Sequence, residues 1–508
     1  MRAIDFLDHG LRREPDRLAL RDATRTFTHD EVHRLTHRIA HALRGAGLKR
    51  GARVAFYTPN CALAFVAMIS VFRAGCVWQP VHPRNALTEN VDFLNDNGTE
   101  WLFYHSRTAA EAAQFKAKVA SLKGAISLDT ELEAWAGPHP DTFPEDEHAA
   151  SDLAWVKATG GTTGRSKSAM ISHRAATTLF SAFHWCMPLL EGHVTLAATP
   201  LTHAAGNVSL CTISNGGSIV FLDKADPLAI LDAIERHCIT TMFLPPTVIY
   251  SLLNTPGVRE RDFSSLRYFL YTAAPISPDK MQEAVEVFGP VMAQGWGQAE
   301  APLLCTFMGP AEYARALKDP QLFRSCGRAT AFARVEIMDN DGNILLPGET
   351  GEIVVRSGLV MDGYFDAPAE TAKALRSGWL YSGDVGYRDA NGFFYIVDRN
   401  KDMIISGGFN IYPSEIEQVL WRHPAVLDCA VIGVPDEKWG EAVKAVVELK
   451  QGAQVSDDEL REHCRAALAT FKAPKTVEIW DALPRSALGK VLKKDIRERY
   501  WQGQARRV

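Results

Sequence analysis

The strongest constraint on the fold is a repeated switch between two hydrophobic periods. From Arg53 onward, short apolar runs alternate with segments of helical pattern. RVAFYTPN, WLFYHS, AISLD and LAWVKATG form a first series of runs, and VTLAATP, SIVFLD, TTMFLPP and LRYFLYTA a second. Helical segments such as ALAFVAMISVFRAG and PLAILDAIE (227–235) lie between them. Strands joined through helices are parallel neighbours, because a parallel pair needs a long crossover. The pattern therefore predicts parallel sheets covered by helices on both faces.

From about Ala333 the pattern changes to short alternating strands, RVEIMD, GEIVVRS and FFYIVD, separated by Gly-rich turns. After Asp398 the chain resets with the polar, glycine-bearing DRNKDMIISGGFN. A helix is then expected to open at Pro413 with the capping box Ser414 to Glu417. The expected fold class is α/β. A large N-terminal domain of parallel α/β sheets (1–400) includes a small β-rich subdomain over about 333–400, and a small mobile α+β C-terminal domain (401–508) follows.

A chain of 508 residues has ample length to bury large cores. Its net charge of −5 gives no electrostatic reason to expect nucleic acid or an anionic membrane as partner. The basic run V491-L-K-K-D-I-R-E-R-Y500 interleaves acids and reads as a solvated helix end. Nine cysteines, none in CxxC spacing, lie among apolar neighbours and read as reduced core thiols. With no signal-like N-terminus and no run long enough to span a membrane, a soluble cytoplasmic protein is expected. A homodimer is left open.

An early helix is expected to open with the capping box Thr28 to Glu31, bury Val32, Leu35, Ile39 and Leu43, and stop at Gly45 and Gly47. It carries His33, His37 and His41 at a spacing able to chelate zinc. Helical-wheel arithmetic turns that trio away from the apolar stripe, and no further ligand is at hand, so a solvated face is expected.

The stretch Thr159 to Ser168 holds three glycines, five hydroxyl residues and one lysine. It lacks the GK[ST] ending of a Walker loop and the GxGxxG of a dinucleotide turn. Its ingredients still suit an anion: Gly160, Gly161 and Gly164 allow close backbone approach, Thr162, Thr163 and Ser166 add hydroxyls, and Lys167 adds charge. Taken alone, a surface turn explains the stretch equally well.

Further motifs separate the two readings. TGGTTGRSKSA resembles the TSGTTGxPKG loop of the AMP-forming adenylating enzymes, which include acyl- and aryl-CoA synthetases, amino-acid adenylation domains and beetle-type luciferases. In the same order follow TPLTHAAG (199–206), TAAPIS (272–277), QGWGQAE (294–300), YSGDVG (381–386), DRNKDMIISGGFNIYPSEIE (398–417) and PRSALGK (484–490). They resemble the family's PLFHxxG, GGAPL, YGxTE, YxTGD, hinge and PKTxxGK motifs.

The resemblance implies activation of a carboxylate by ATP to an acyl-adenylate, and then transfer to coenzyme A. It places ATP on Thr159, Gly161, Thr162, Thr163, Gly164 and Lys167, with Mg²⁺ on Glu300 and Thr163. Ala273, Ala274, Pro275, Trp296, Gly297 and Gln298 would line the base, and Asp384 and Arg399 the ribose. Lys490 would be the adenylating lysine and Lys401 the hinge. Gly408, Trp439, Gly440, Phe471, Lys472 and Lys475 would lie near CoA, and the acid pocket would include His203, Ala204, Phe243 and Gly295. Phe183, Ile249 and Tyr250 are further candidates for its walls, and Ala205 and Gly206 leave room. No acidic residue in these segments awaits an amino group, so an apolar acid, fatty or aromatic, fits.

The sequence departs from the family at Gly160, Ser166, Ser168 and Ala299. The loss of one neutral hydrogen bond at Ala299 costs about 0.5–1.5 kcal/mol, too little to abolish activity. Loading of a carrier protein, non-catalytic nucleotide binding and phosphoryl transfer remain as alternatives.

Overall fold

The computed structural model describes residues 1–83, 85–142, 149–159, 167–188, 192–272, 276–399, 402–407, 409–485 and 491–501. The chain forms two compact units, Met1–Val335 with Val355–Leu380, and Glu336–Val354 with Tyr381–Val508.

Two sheets dominate the first unit. One has seven strands in the order Gly363–Tyr364, Ser168–Ser172, Leu153–Ala158, Val77–Pro80, Arg53–Tyr57, Trp101–Tyr104 and Gly124–Ser127. Its first two junctions are antiparallel and the rest parallel. The other has nine strands, with a parallel centre built from Val194–Ala197, Ser218–Phe221, Thr241–Phe243, Tyr268–Tyr271 and Met292–Gln298. Antiparallel pairs close both of its edges. The expected apolar runs are thus the parallel centres. The strand Val77–Pro80 carries no alternation, yet sits mid-sheet; Pro80 ends it, where the missing amide costs nothing to the ladder.

The helix Ala62–Arg73 is buried over its whole length, which explains its unbroken apolar sequence. Its Phe65 and Phe72 are among the largest fully buried side chains of the chain, with Trp78, Trp155, Phe103 and Phe180.

The β-rich segment is a five-stranded sheet. Ala333–Met338, Gly351–Ser357, Trp379–Arg388 and Leu375–Arg376 lie in that order, and Phe394–Arg399 pairs with Trp379–Arg388. The last hundred residues build another sheet from Phe409–Ile411, Ile404–Ser406, Gly440–Leu449 and Val426–Asp436, with Thr476–Trp480 parallel to Gly440–Leu449. Helices Pro413–Leu420 and Asp457–Ala467 help cover it, closing a core of Ile404, Ile416, Leu420, Val431, Val443 and Leu460.

Several expectations need correction. The helix His29–Gly45 has its capping box as expected: Thr28 Oγ1 accepts from the Glu31 amide at 3.2 Å, and Glu31 accepts from the Thr28 amide at 2.8 Å. His33 and His37 do not face solvent, however, while His41 stays partly exposed and its Nε2 lies 2.7 Å from the Thr142 carbonyl. His37 is buried and its ring meets that of His33, which lies 3.5 Å from Asp8. The helices Ala3–Arg13 and Ala62–Arg73 cover this face, and Arg73 pairs there with Asp8. Burial pulls the His37 pKa down to about 3.

The second capping box does not form. Ser414 instead donates its hydroxyl to the Val397 carbonyl, and its amide to Asp398 at 2.8 Å. Glu417 turns inward, where Oε1 accepts from the Val431 amide at 2.7 Å and pairs with Lys493 Nζ at 2.8 Å. The basic C-terminal run is correspondingly not a solvated helix end: Lys493 serves Glu417, Arg497 pairs with Asp402 at 2.8 Å, and Ile496 is fully buried. The nine cysteines are free thiols as expected, but Cys238 is exposed at a helix end with φ of 48°.

Candidate functional site

The glycine-rich loop is pinned at both ends. The Thr159 amide donates to the Lys167 carbonyl at 2.8 Å, so the flanking strands leave side by side. Ser168, where the family has glycine, is buried and accepts from Asn97 Nδ2 at 3.0 Å, so its hydroxyl is satisfied.

A strap from Met361 to Thr371 runs beside the strand Ser168–Ser172 that follows this loop. The Phe365 amide bonds to the Ser168 carbonyl and the Asp362 amide to that of Met170. Gly363 carries φ of +142°, a conformation that glycine alone adopts without strain, and there the strap pairs with Met170. The strap brings Tyr364 under Lys167, whose Nζ stands 4.9 Å from the ring centroid. Lys167 also pairs with Glu370 at 2.7 Å, and Lys373 holds Glu370 from the other side at 2.8 Å. These two lysines hold the Glu370 carboxyl down to about 2.

Glu300 sits in a tight hairpin turn, since Gln298 faces Ala301 in the register between Met292–Gln298 and Ala301–Met308. The hairpin needs its glycines. A β-carbon on Gly295 would stand 2.5 Å from the Leu303 carbonyl, and one on Gly297 at 2.5 Å from that of Ala301. The Met361 amide holds the Glu300 carbonyl at 2.7 Å, and Tyr364 Oη donates to Glu300 Oε1 at 2.7 Å. Burial and the Glu300 carboxylate both push the Tyr364 phenol up, so it stays a proton donor. Trp296 is buried, with 7% of its surface exposed, while Gln298 and Ala299 are half-buried.

In the second unit, Asp384 and Arg399 stand directly opposite across the hairpin of Trp379–Arg388 and Phe394–Arg399. Asp384 is buried and its Oδ1 lies 3.1 Å from Arg399 Nε. The residues read as CoA contacts also come together there. Lys475 Nζ lies 4.7 Å over the Trp439 ring, and the Gly407 amide donates to the Trp439 carbonyl at 2.9 Å. Gly440 has φ of +78°, and Phe471 meets Phe409 at 4.9 Å between centroids. Trp439, Phe471 and Phe409 are exposed, so this face is aromatic and basic. Lys472 is already paired with Glu415 at 2.8 Å, leaving Lys475 as the less encumbered cation.

His203 precedes the helix Ala204–Ser214, and Ala204 is half-buried at its start. Its Nδ1 lies 2.9 Å from Thr202 Oγ1 and its ring meets His82 edge-on at 4.9 Å. Phe243, Phe183 and Ile249 are buried. Gly160, Gly161, Thr162, Thr163, Gly164, Ser166, Ala273, Ala274, Pro275, Lys401, Gly408 and Lys490 lie outside the described residues.

The comparisons with known proteins decide the family. The model of AMP-binding enzymes matches residues 7–365, and that of the AMP-binding enzyme C-terminal domain matches 415–490. The chain belongs to the AMP-binding enzyme family. It is 36% identical to a medium/long-chain-fatty-acid–CoA ligase, FadD8, of Mycobacterium tuberculosis, over 84% of this chain and 78% of that protein. It is also 36% identical to a feruloyl-CoA synthase of an Amycolatopsis species, over 96% of this chain and 97% of that one. ATP-bound MatB from Rhodopseudomonas palustris has the same fold, with a TM-score of 0.89 and 30% identity over 98% and 99% of the two chains.

Within the family, the chain falls in the acyl-CoA synthetase branch and is an AMP-forming acid–thiol ligase. Among the described residues no helix is long and apolar enough to cross a membrane, and no group of three metal-binding side chains stands together.

Sequence reasoning missed Tyr364 and Glu370. Both lie in GYFDAPAET, which carries no motif signal of its own, and they gain meaning only from the strap that places them beside Lys167 and Glu300.

Proposed function

We propose that this ligase activates a carboxylic acid with ATP and passes the acyl group to coenzyme A, with the residues of the loop, hairpin and strap acting on the phosphates. One arrangement carries the reading: Lys167 and Glu300, from two motifs more than a hundred residues apart, converge on the single phenol of Tyr364.

The first half-reaction presses a carboxylate against the α-phosphate. Two such charges about 4 Å apart repel by roughly 4 kcal/mol at an effective dielectric near 20. Fixed cations and amide donors must offset that repulsion without reorganising. Lys167 is suited to grip the departing pyrophosphate, with Thr159, Gly161, Thr162, Thr163 and Gly164 supplying amides and hydroxyls around it. Lys490, by its place in PRSALGK, is the cation for the attacking carboxylate and the α-phosphate. The carboxylate oxygen bonds to phosphorus, the α–β bridge breaks, and pyrophosphate leaves.

Glu300 fits a Mg²⁺ ligand. Tyr364 occupies Oε1 and keeps the carboxylate oriented, which leaves Oε2 for a hard cation. Such an ion, shared with Thr163, would neutralise phosphate charge there. Trp296 with Ala273, Ala274, Pro275, Gly297 and Gln298 would hold the base, and Asp384 with Arg399 the ribose hydroxyls.

In the second half-reaction the CoA thiol attacks the acyl carbonyl and AMP leaves. We assign Lys401 as the pivot between the two states of a C-terminal domain of residues 401–508. Gly408 would pass the pantetheine, and Trp439, Gly440, Phe471, Lys472 and Lys475 would receive the nucleotide end of CoA. The acid would lie along His203, Ala204, Phe243 and Gly295, and the reaction would run in the cytoplasm.

A panel of aliphatic, aryl and hydroxyaryl acids tests the reading. Each is incubated with ATP, Mg²⁺ and CoA, and nucleotides and thioesters are read by mass spectrometry. The expected products are AMP and acyl-CoA in equal amounts for at least one class. Release of ADP, or hydrolysis of ATP indifferent to every acid, would refute it.

A further inference from the structure

The first unit contains a lysine, Lys157, that among the described residues pairs with no carboxylate. Lys157 lies in the strand Leu153–Ala158, two residues after Trp155 and therefore on the same face of the sheet. Trp155 faces Trp78 across the register, with the indoles 6.2 Å apart. Trp78 in turn abuts Gly206: a β-carbon there would stand 3.3 Å from the indole. The Gly206 amide donates to the His203 carbonyl at 3.2 Å, and His82 completes the group through its ring contact with His203.

Lys157 is half-buried, and among the described residues no carboxylate forms an ion pair with it and no acceptor takes a hydrogen bond from its ammonium. Burial alone pulls its pKa down to about 8, with no acid to raise it again. In the parallel pair that sets Trp155 opposite Trp78, Lys157 is level with Pro80, two residues before His82, whose ring meets that of His203. Burial, then the Lys157 charge, then His82 push the His203 imidazolium well below its usual range, so His203 is neutral. A desolvated ammonium without a partner is costly, and the fold retains it beside the histidine that the family motif places in the acid pocket.

We propose that Lys157, His203 and His82 form an anion site for the acid substrate, with the Lys157 ammonium pairing to a carboxylate oxygen and the histidines bounding it. This rests on the ligase reading and deepens it, because it makes the pocket polar at one wall. The oxygen is either that of the reacting carboxylate or that of a second acidic group at the far end of the acid. Both sources present the same chemistry to the lysine.

The test is steady-state kinetics of Lys157→Met and Lys157→Arg on matched pairs, hexanoate with adipate and cinnamate with 4-carboxycinnamate, at saturating ATP and CoA. A charge-assisted hydrogen bond predicts that Lys157→Met raises KM for the bound acids by about ten- to a hundredfold, with kcat changed less. Lys157→Arg should stay within about threefold of wild type, and it serves as the comparison if Lys157→Met folds poorly. A KM rise for all four acids assigns the reacting carboxylate. A rise confined to adipate and 4-carboxycinnamate assigns a second acidic group. An unchanged KM in Lys157→Met, or an equal rise in KM for ATP, overturns the site while leaving the ligase reading intact. Failure of the wild type on every acid would overturn both.

Discussion

Two lysine–glutamate pairs in this chain have the same chemistry and opposite uses. Lys167 with Glu370, at 2.7 Å, has 36% of each side chain exposed. Lys493 with Glu417, at 2.8 Å, leaves 20% and 7% exposed. An exposed pair is screened by water and contributes little, so its lysine is free to exchange a carboxylate for a phosphate. A buried pair is different. Each charge has lost its water, and removing one partner strands the other. On the proposed function the first pair is a resting contact of the phosphate-gripping cation, and the second is a structural element that ties the helix Pro413–Leu420 to the C-terminal helix.

The largest effect expected from this contrast is at Glu417. Glu417→Ala should lower the unfolding free energy by about 3 kcal/mol, read by urea denaturation, because Lys493 would lose its ion pair and keep only the charges of Asp398 and Asp402. Replacing both residues by apolar ones should recover much of that loss. Equal losses in the single and double variants would remove the distinction between the pairs.

At the exposed pair, Lys167→Ala should lower kcat/KM for ATP by about 10²–10³, as loss of a donor to transition-state charge does, with the urea midpoint unmoved. Tyr364→Phe leaves Glu300 unheld. The Mg²⁺ concentration for half-maximal rate should rise about tenfold, the scale found when the outer partner of a metal ligand is lost. The smallest change is expected for Glu370→Gln. Freed of its resting partner, Lys167 should give a KM for ATP lower by about threefold, with stability unaltered. A rise in that KM would mean that Glu370 positions Lys167 for ATP instead of competing for it.

The same contrast explains what the sequence made legible. Period-2 and period-3.6 segments are local, and the parallel cores of both large sheets followed from them. The cap at Thr28 is local too, and it forms between partly exposed side chains. The identical spacing at Ser414 fails because Glu417 has a buried cation to satisfy, and that cation lies 76 positions away in sequence. Long-range demand overrode a local code. The solvated face expected for His33 and His37 fails for a similar reason: a helical wheel knows one neighbour face, and this helix packs against three others.

In the site, residues named through their motifs emerge in register where the backbone forces it, as with Asp384 opposite Arg399. Tyr364, Glu370 and Lys157 were not legible. Their significance depends on a strap, a turn and an indole contact that no spacing in the sequence encodes.

The central claim is that the acid's own oxygen attacks the α-phosphate of ATP. A substrate acid labelled with ¹⁸O in both carboxylate oxygens, turned over with ATP, Mg²⁺ and CoA, tests it directly by mass spectrometry of the nucleotide. The account predicts AMP carrying one ¹⁸O per acyl-CoA formed and unlabelled pyrophosphate. Unlabelled AMP, or label in ADP or inorganic phosphate, would contradict it.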